Sequence, residues 1–165
     1  MHLPIVVMAA AVGLQQLRPL VATTENLGHG RVGRLPSAMS LLEFARRLAT
    51  VLPSTATGIR VAGDPELQVS TVALCGGAGD GFIADALATE ADLYMTSDLR
   101  HHPVQEAMQL AQVRGRNFAM IDISHWAAEW IWLDTAKAEL AAQFPQVTFE
   151  VSDLRTDPWD FVVTQ

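Results

Sequence analysis

The sequence predicts an α/β fold in which alternating βα units build a mixed, largely parallel sheet covered by helices. Three observations carry that prediction. From residue 59 onward, short runs rich in Val, Ile, Leu and Met alternate with longer runs of helical periodicity. Polar or glycine-bearing loops separate the two kinds of segment, as strand-to-helix connections require. The chain has 165 residues, 50% of them hydrophobic and 18% charged, which is the size and balance of one globular domain with a buriable core.

Residues 1–39 read as an irregular or non-native N-terminal segment and linker: they open apolar from Met1 to Leu14 and then collect Thr, Asn, Gly, Pro and Ser, with Gly28, Gly30 and Gly33 close together. The apolar opening is too short to cross ~30 Å of hydrocarbon. No Lys or Arg precedes it as a signal peptide would want, so a cytoplasmic location is expected. The compact α/β unit is expected over 40–165. Ser40 caps a helix over 41–52, where Leu41, Phe44, Ala45, Leu48, Val51 and Leu52 recur at helical spacing and Pro53 ends the run. There follow a strand over 59–63, a strand over 70–75, a helix over 80–89, a strand over 92–96, a helix over 102–112, a strand over 118–122, a helix over 124–143 and a strand over 147–151.

Charge narrows the function classes. Residues 1–60 hold six Arg and two Glu (+4), whereas residues 61–165 hold four Arg, one Lys and sixteen acidic residues (−11). An acidic main body repels phosphate backbones and suits cations, so nucleic acid is not an expected partner. Cys75 is the single cysteine, which excludes an internal disulfide and a thiolate zinc knuckle.

Open α/β sheets bind ligands at the carboxyl ends of their strands, so the strand-to-helix loops are the place to look. In Cys75-Gly76-Gly77-Ala78-Gly79-Asp80, backbone N–H groups either cradle an anion or let a strand turn tightly; the spacing is not that of a dinucleotide fold and no P-loop Lys follows. Cys75 reads as a small core residue or as a nucleophile. In the second loop Asp98, His101 and His102 fall within five residues, ahead of Pro103, either around a pocket or as surface groups at a helix start. The third loop leads into His125 and Glu129, four apart on one helical face, which makes either an exposed pair or a metal half-site of the nitrogen-plus-oxygen kind that Zn, Mn and Fe accept. Asp122 is placed to orient His125 or to cap the helix. Trp126, Trp130 and Trp132 read as a packed face, with Trp126, beside the candidate ligand, alternatively a pocket wall, and Asp157-Pro158-Trp159 as an anchor for the tail.

Taken in order, the glycine loop, then Ala91-Asp92-Leu93-Tyr94-Met95-Thr96-Ser97-Asp98-Leu99-Arg100-His101-His102, then Ile121-Asp122-Ile123-Ser124-His125-Trp126-Ala127-Ala128-Glu129 resemble the GTP cyclohydrolase I type 2 homologue (Nif-three-like) family over about residues 28–163. The resemblance implies an α/β subunit of a toroidal homohexamer holding a pair of divalent metals. Its Gly-His-aromatic-x-x-Glu motif maps onto Ser124 to Glu129, serine replacing glycine, and makes His125 and Glu129 metal ligands. It places Asp98, His101 and His102 around the cleft as proton-moving or pocket groups. The family's other ligands, a His-His pair and an aspartate, belong to an N-terminal half that His2 and His29 do not reproduce, so the chain resembles the C-terminal half of a longer protein. The function implied is metal-assisted hydrolysis of an unnamed substrate. The alternatives are a fragment acting only through oligomer or partner contacts, and a small nucleotide-binding domain using the glycine loop.

Overall fold

The structure is a computed structural model that describes residues 4–24 and 27–164. Helix α1 (Pro4–Ala11) leads into strands β1 (Gln15–Arg18), β2 (Val21–Ala22), β3 (Gly28–His29) and β4 (Arg31–Ser40). The expectation that residues 1–39 are irregular is therefore corrected. Gly30 at φ +61 turns the chain from the small β2–β3 ribbon into β4, and β4 then pairs antiparallel along β6 (Gln68–Ala78). Backbone pairing and burial of Val32 and Leu35 decide this segment, where its glycines and prolines suggested a linker. His2 lies outside the described residues.

Ser40 accepts the Glu43 N–H, and the Glu43 carboxylate accepts the Ser40 N–H, forming a capping box that starts α2 (Leu41–Val51) where expected. After β5 (Arg60–Ala62) and β6 come a 3₁₀ turn (Asp80–Phe82), α3 (Ile83–Ala88), β7 (Leu93–Ser97), α4 (His101–Val113) and β8 (Ala119–Ile123). The sheet runs β1-β4-β6-β7-β8-β5. Its centre, β6-β7-β8, is parallel, and the flanking pairs are antiparallel, so four of six strands run one way. Strand β7 is buried along its whole length because both faces are covered, as parallel strands require. One face packs Leu93, Met95 and Ile121 against α1 and α2 through Met8, Phe44 and Leu48. The other packs Tyr94 and Met120 against α3 and α4 through Ile83, Leu87, Ala107 and Ala111.

Two expected elements differ at the C-terminal end. The helix over 124–143 is two helices, α5 (His125–Trp130) and α6 (Leu133–Gln143). Between them the Trp132 N–H bonds the Glu129 carbonyl at 3.1 Å, an i→i−3 bond that tightens one turn before the α pattern resumes. No strand forms over 147–151; Val147 is a bend and 148–151 carry no regular secondary structure.

Candidate functional site

The site stands at the carboxyl ends of β6, β7 and β8. Ser124 caps α5, its hydroxyl accepting the Ala127 N–H at 3.4 Å, and so starts a helical turn that puts His125 and Glu129 on one face. His125 Nε2 lies 3.0 Å from Glu129 Oε1. His125 Nδ1 lies 2.6 Å from Asp98 Oδ2. Asp98 reaches it from just past β7 with φ +57, a left-handed conformation that aspartate tolerates better than most residues. The three side chains are accessible, 40% exposed for His125, 55% for Asp98 and 61% for Glu129.

A ring with a carboxylate on each nitrogen is satisfied best as the imidazolium, with both N–H groups donating. The Asp98 hydrogen bond is the main cause that raises the His125 pKa above its ordinary value; Glu129 adds to it, and partial burial opposes it. Two donors each about 2.1 Å from one cation lie about 3 Å apart at the right angle of an octahedral Mn or Fe sphere, which the Nε2–Oε1 separation of 3.0 Å matches, whereas a tetrahedral Zn would spread them to about 3.4 Å. Asp98 on Nδ1 then fixes the tautomer that leaves Nε2 free to ligate. Among the described residues no group of three or more His, Cys, Asp or Glu converges as a metal cluster.

Asp122, expected to orient His125 or cap the helix, does neither. It pairs with Arg60, Nε to Oδ2 at 2.8 Å, and accepts the Leu99 N–H at 2.9 Å, which fixes the loop carrying Asp98. His101 and His102 begin α4, both exposed and edge-to-face with ring centres 5.2 Å apart. His101 lines a cleft with Arg60, Arg100 and Asp122. Neither histidine hydrogen-bonds with Asp98, His125 or Glu129 among the described residues, so only Asp98 of the second loop joins the hydrogen-bonded group.

The glycine loop serves close packing. A side chain at Gly79 would place Cβ 2.1 Å from Thr96 Oγ1, and Gly77, at φ +71, passes beside the His125 ring. Tyr94 Oη donates to the Gly79 carbonyl at 2.7 Å and Thr96 Oγ1 to the Gly77 carbonyl at 2.9 Å, so the loop is pinned from beneath. Burial pushes the Cys75 thiol pKa up, which makes it a poor nucleophile. Ser97, next to Asp98, has a buried hydroxyl with no hydrogen-bond partner among the described residues.

A cavity of about 400 Å³ adjoins His125 and Asp98, walled by Trp126, Asp157, Pro158 and Trp159. Asp157 is the residue whose importance the sequence understated. It is buried and accepts from the Ser124 hydroxyl at 3.3 Å, tying the tail to the cap of α5. The signal was the Asp-Pro-Trp run, read there only as a tail anchor. On the other side, Glu129 borders a cavity of about 370 Å³ with Gly76, Gly77 and His29, the last stacked on Phe82 at 5.5 Å.

Residues 6–158 match the family described as Duf34/NIF3 (NGG1p interacting factor 3). A Mycobacterium tuberculosis protein named GTP cyclohydrolase 1 type 2 homolog is 45% identical over 142 residues, covering 86% of this chain and 36% of its own length. One of the same name from Streptomyces coelicolor is 42% identical over 161 residues, covering 92% of this chain and 54% of its own. The chain thus spans about a third to a half of these curated relatives. Among solved structures, a Bacillus cereus protein related to NIF3 superimposes with a TM-score of 0.71 at 30% identity, over 84% of this chain and 36% of that one. A Staphylococcus aureus hypothetical protein shares the fold, with a TM-score of 0.79 at 20% identity over 96% of this chain and 64% of that one.

Proposed function

Because the chain belongs to the Duf34/NIF3 family, we propose that His125 and Glu129 are one part of a divalent-metal centre serving metal-assisted hydrolysis, with Asp98 as the carboxylate that orients His125. The observation that carries this reading is the pair of donors 3.0 Å apart on one helical turn, with the far side of the ring already held by a carboxylate. A bound Zn, Mn or Fe would supply Lewis acidity and a water of lowered pKa. The chain's own residues do the rest. Asp98 holds the Nδ1 proton, Glu129 brings an oxygen donor and negative charge, and Asp157 with Ser124 sets the position of α5. His101 and His102 stand as candidates for contact with substrate from the neighbouring cleft, outside the ligand pair.

The experiment is elemental analysis after equilibration with Zn, Mn or Fe(II) and desalting. Wild-type protein should retain metal, and His125→Ala and Glu129→Ala should lose it. Equal metal content in wild type and His125→Ala overturns the assignment. A second reading, a chain that acts only through contacts with other polypeptides, is favoured by the two-member ligand set and by the 36% share of the Mycobacterium tuberculosis relative that the chain spans. It predicts no retained metal in any of the three proteins.

A further inference from the structure

We infer that the cavity of about 370 Å³ beside Glu129 takes a planar ring of the substrate, a neutral nitrogen heterocycle with an N–H turned to the Glu129 carboxylate. The inference deepens the metal reading, on which its catalytic sense rests, and the binding of the ring can be tested apart from metal. The walls of the cavity decide what it can hold. Met8, Leu74, Met95 and Ile123 make them largely apolar, and the volume lies in the range of about 300–1,000 Å³ usual for small-molecule sites. Three features favour a flat aromatic ring over an alkyl chain. His29 and Phe82 both line the cavity, stacked with ring centres 5.5 Å and planes 25° apart, so the occupant meets two aromatic groups in one place. Met8 and Met95 bring polarisable thioethers, which contact aromatic rings favourably. Gly28, Gly30, Gly76 and Gly77 leave backbone bare of side chains, so a flat group can lie close against the peptide planes.

Charge sets the rest of the specificity. Among the described residues the lining holds one carboxylate, Glu129, and no Lys or Arg. A phosphate or carboxylate seated there would be desolvated beside a like charge, whereas an N–H finds a charged acceptor. Glu129 Oε1 faces His125 Nε2 at 3.0 Å, and Oε2 has no hydrogen-bond partner among the described residues, so one oxygen is left for the occupant. The cavity also reaches the proposed ligand pair. A Cβ at Gly77, on its wall, would lie 3.6 Å from His125 Cε1, and Glu129 closes the same end. A ring held in the cavity therefore has its edge at the two residues proposed to carry the metal. At Gly76 the wall is open: a Cβ there would meet nothing nearer than Ile5, at 3.9 Å. A larger side chain at this position can occupy the cavity without displacing backbone.

The test titrates benzimidazole, a flat bicycle with one N–H, into the isotope-labelled chain in chelator-containing buffer and follows the amide resonances by NMR. Saturable shifts should appear at Gly28, Gly30, Gly76 and Gly77, with nuclear Overhauser contacts from the probe to the His29 and Phe82 rings. N-methylbenzimidazole, which lacks the N–H, should bind about 10-fold more weakly. Cyclohexylmethanol, apolar but not flat, and benzoate, flat but anionic, should give no saturable shift at these amides. Gly76→Leu should weaken benzimidazole about 10-fold or more by filling its place. The Overhauser contacts need no substitution, so they decide the matter even if that variant does not fold. Absence of saturable shifts with benzimidazole overturns the inference, as do contacts that bypass His29 and Phe82. Equal binding of cyclohexylmethanol overturns the planar class, and equal binding of benzoate or N-methylbenzimidazole overturns the role given to Glu129. Benzimidazole binding to a chain that retains no metal would remove only the metal reading, whereas retained metal without benzimidazole binding would remove only this inference.

Discussion

The middle of β7 and its carboxyl rim differ by a few residues in sequence and almost completely in environment. Leu93, Tyr94 and Met95 are at most 1% exposed, flanked by parallel ladders on both edges and by helices on both faces. Two residues after Thr96 comes Asp98, over half exposed, at positive φ, with the partnerless Ser97 hydroxyl beside it. The body of the sheet is closed and internally satisfied, while the rim presents polar groups that other atoms can still engage. Stability therefore resides in the body and the proposed chemistry in the rim, and substitutions should separate the two.

The largest effect belongs to the body. Leu93→Ala removes a fully buried side chain between two covered faces and should cost about 2–5 kcal/mol in urea unfolding. At the boundary, Gly79→Ala should cost about 1–3 kcal/mol, because the new Cβ collides with Thr96 and the Tyr94 hydroxyl. A wild-type midpoint for Gly79→Ala would show that the loop yields and belongs with the rim.

On the rim, Asp98→Asn should weaken metal retention about 10–100-fold by competition titration while leaving the melting temperature nearly unchanged. The same substitution should bring the His125 pKa down toward its ordinary value, since the Asp98 hydrogen bond is the chief cause of its rise. A loss of stability comparable with Leu93→Ala would break the separation. The pH dependence has a definite sign. A histidine whose folded-state pKa is raised contributes its stability fully below about 6.5 and loses it as pH rises through the folded value. The stability advantage of metal-free wild type over His125→Gln should thus be present at pH 6 and vanish on the alkaline side, followed by urea unfolding across that range. The smallest effect concerns Cys75, whose thiol burial pushes its pKa up: it should react with a disulfide reagent at pH 8 more slowly than free cysteine.

The body was legible because its signals are periodic and local. The helix from Leu41 followed from Ser40 and the spacing of Phe44 and Leu48, and the strands at 93–97 and 119–123 followed from short apolar runs bounded by polar loops. The pairing of β4 with β6 was hidden, because a strand's partner lies elsewhere in the chain and Gly33 and Pro36 resemble a linker in isolation. Residues 147–151 show the converse, a strand pattern that pairs with no neighbour among the described residues. At the site, the i,i+4 relation of His125 and Glu129 could be read directly. The Asp98 contact to His125 could not, since it joins two loops 27 positions apart and Asp122 was the nearer carboxylate in sequence.

All four tryptophans, Trp126, Trp130, Trp132 and Trp159, lie on α5, on the turn after it or on the tail, and none is in the sheet. Trp126 and Trp130 stand with ring centres 5.0 Å apart, and Trp126 directly follows His125 in sequence. The molecule thereby carries an optical reporter for one of its two regions: its indole emission follows events around the site and the tail, while its far-ultraviolet dichroism is dominated by the sheet and the longer helices.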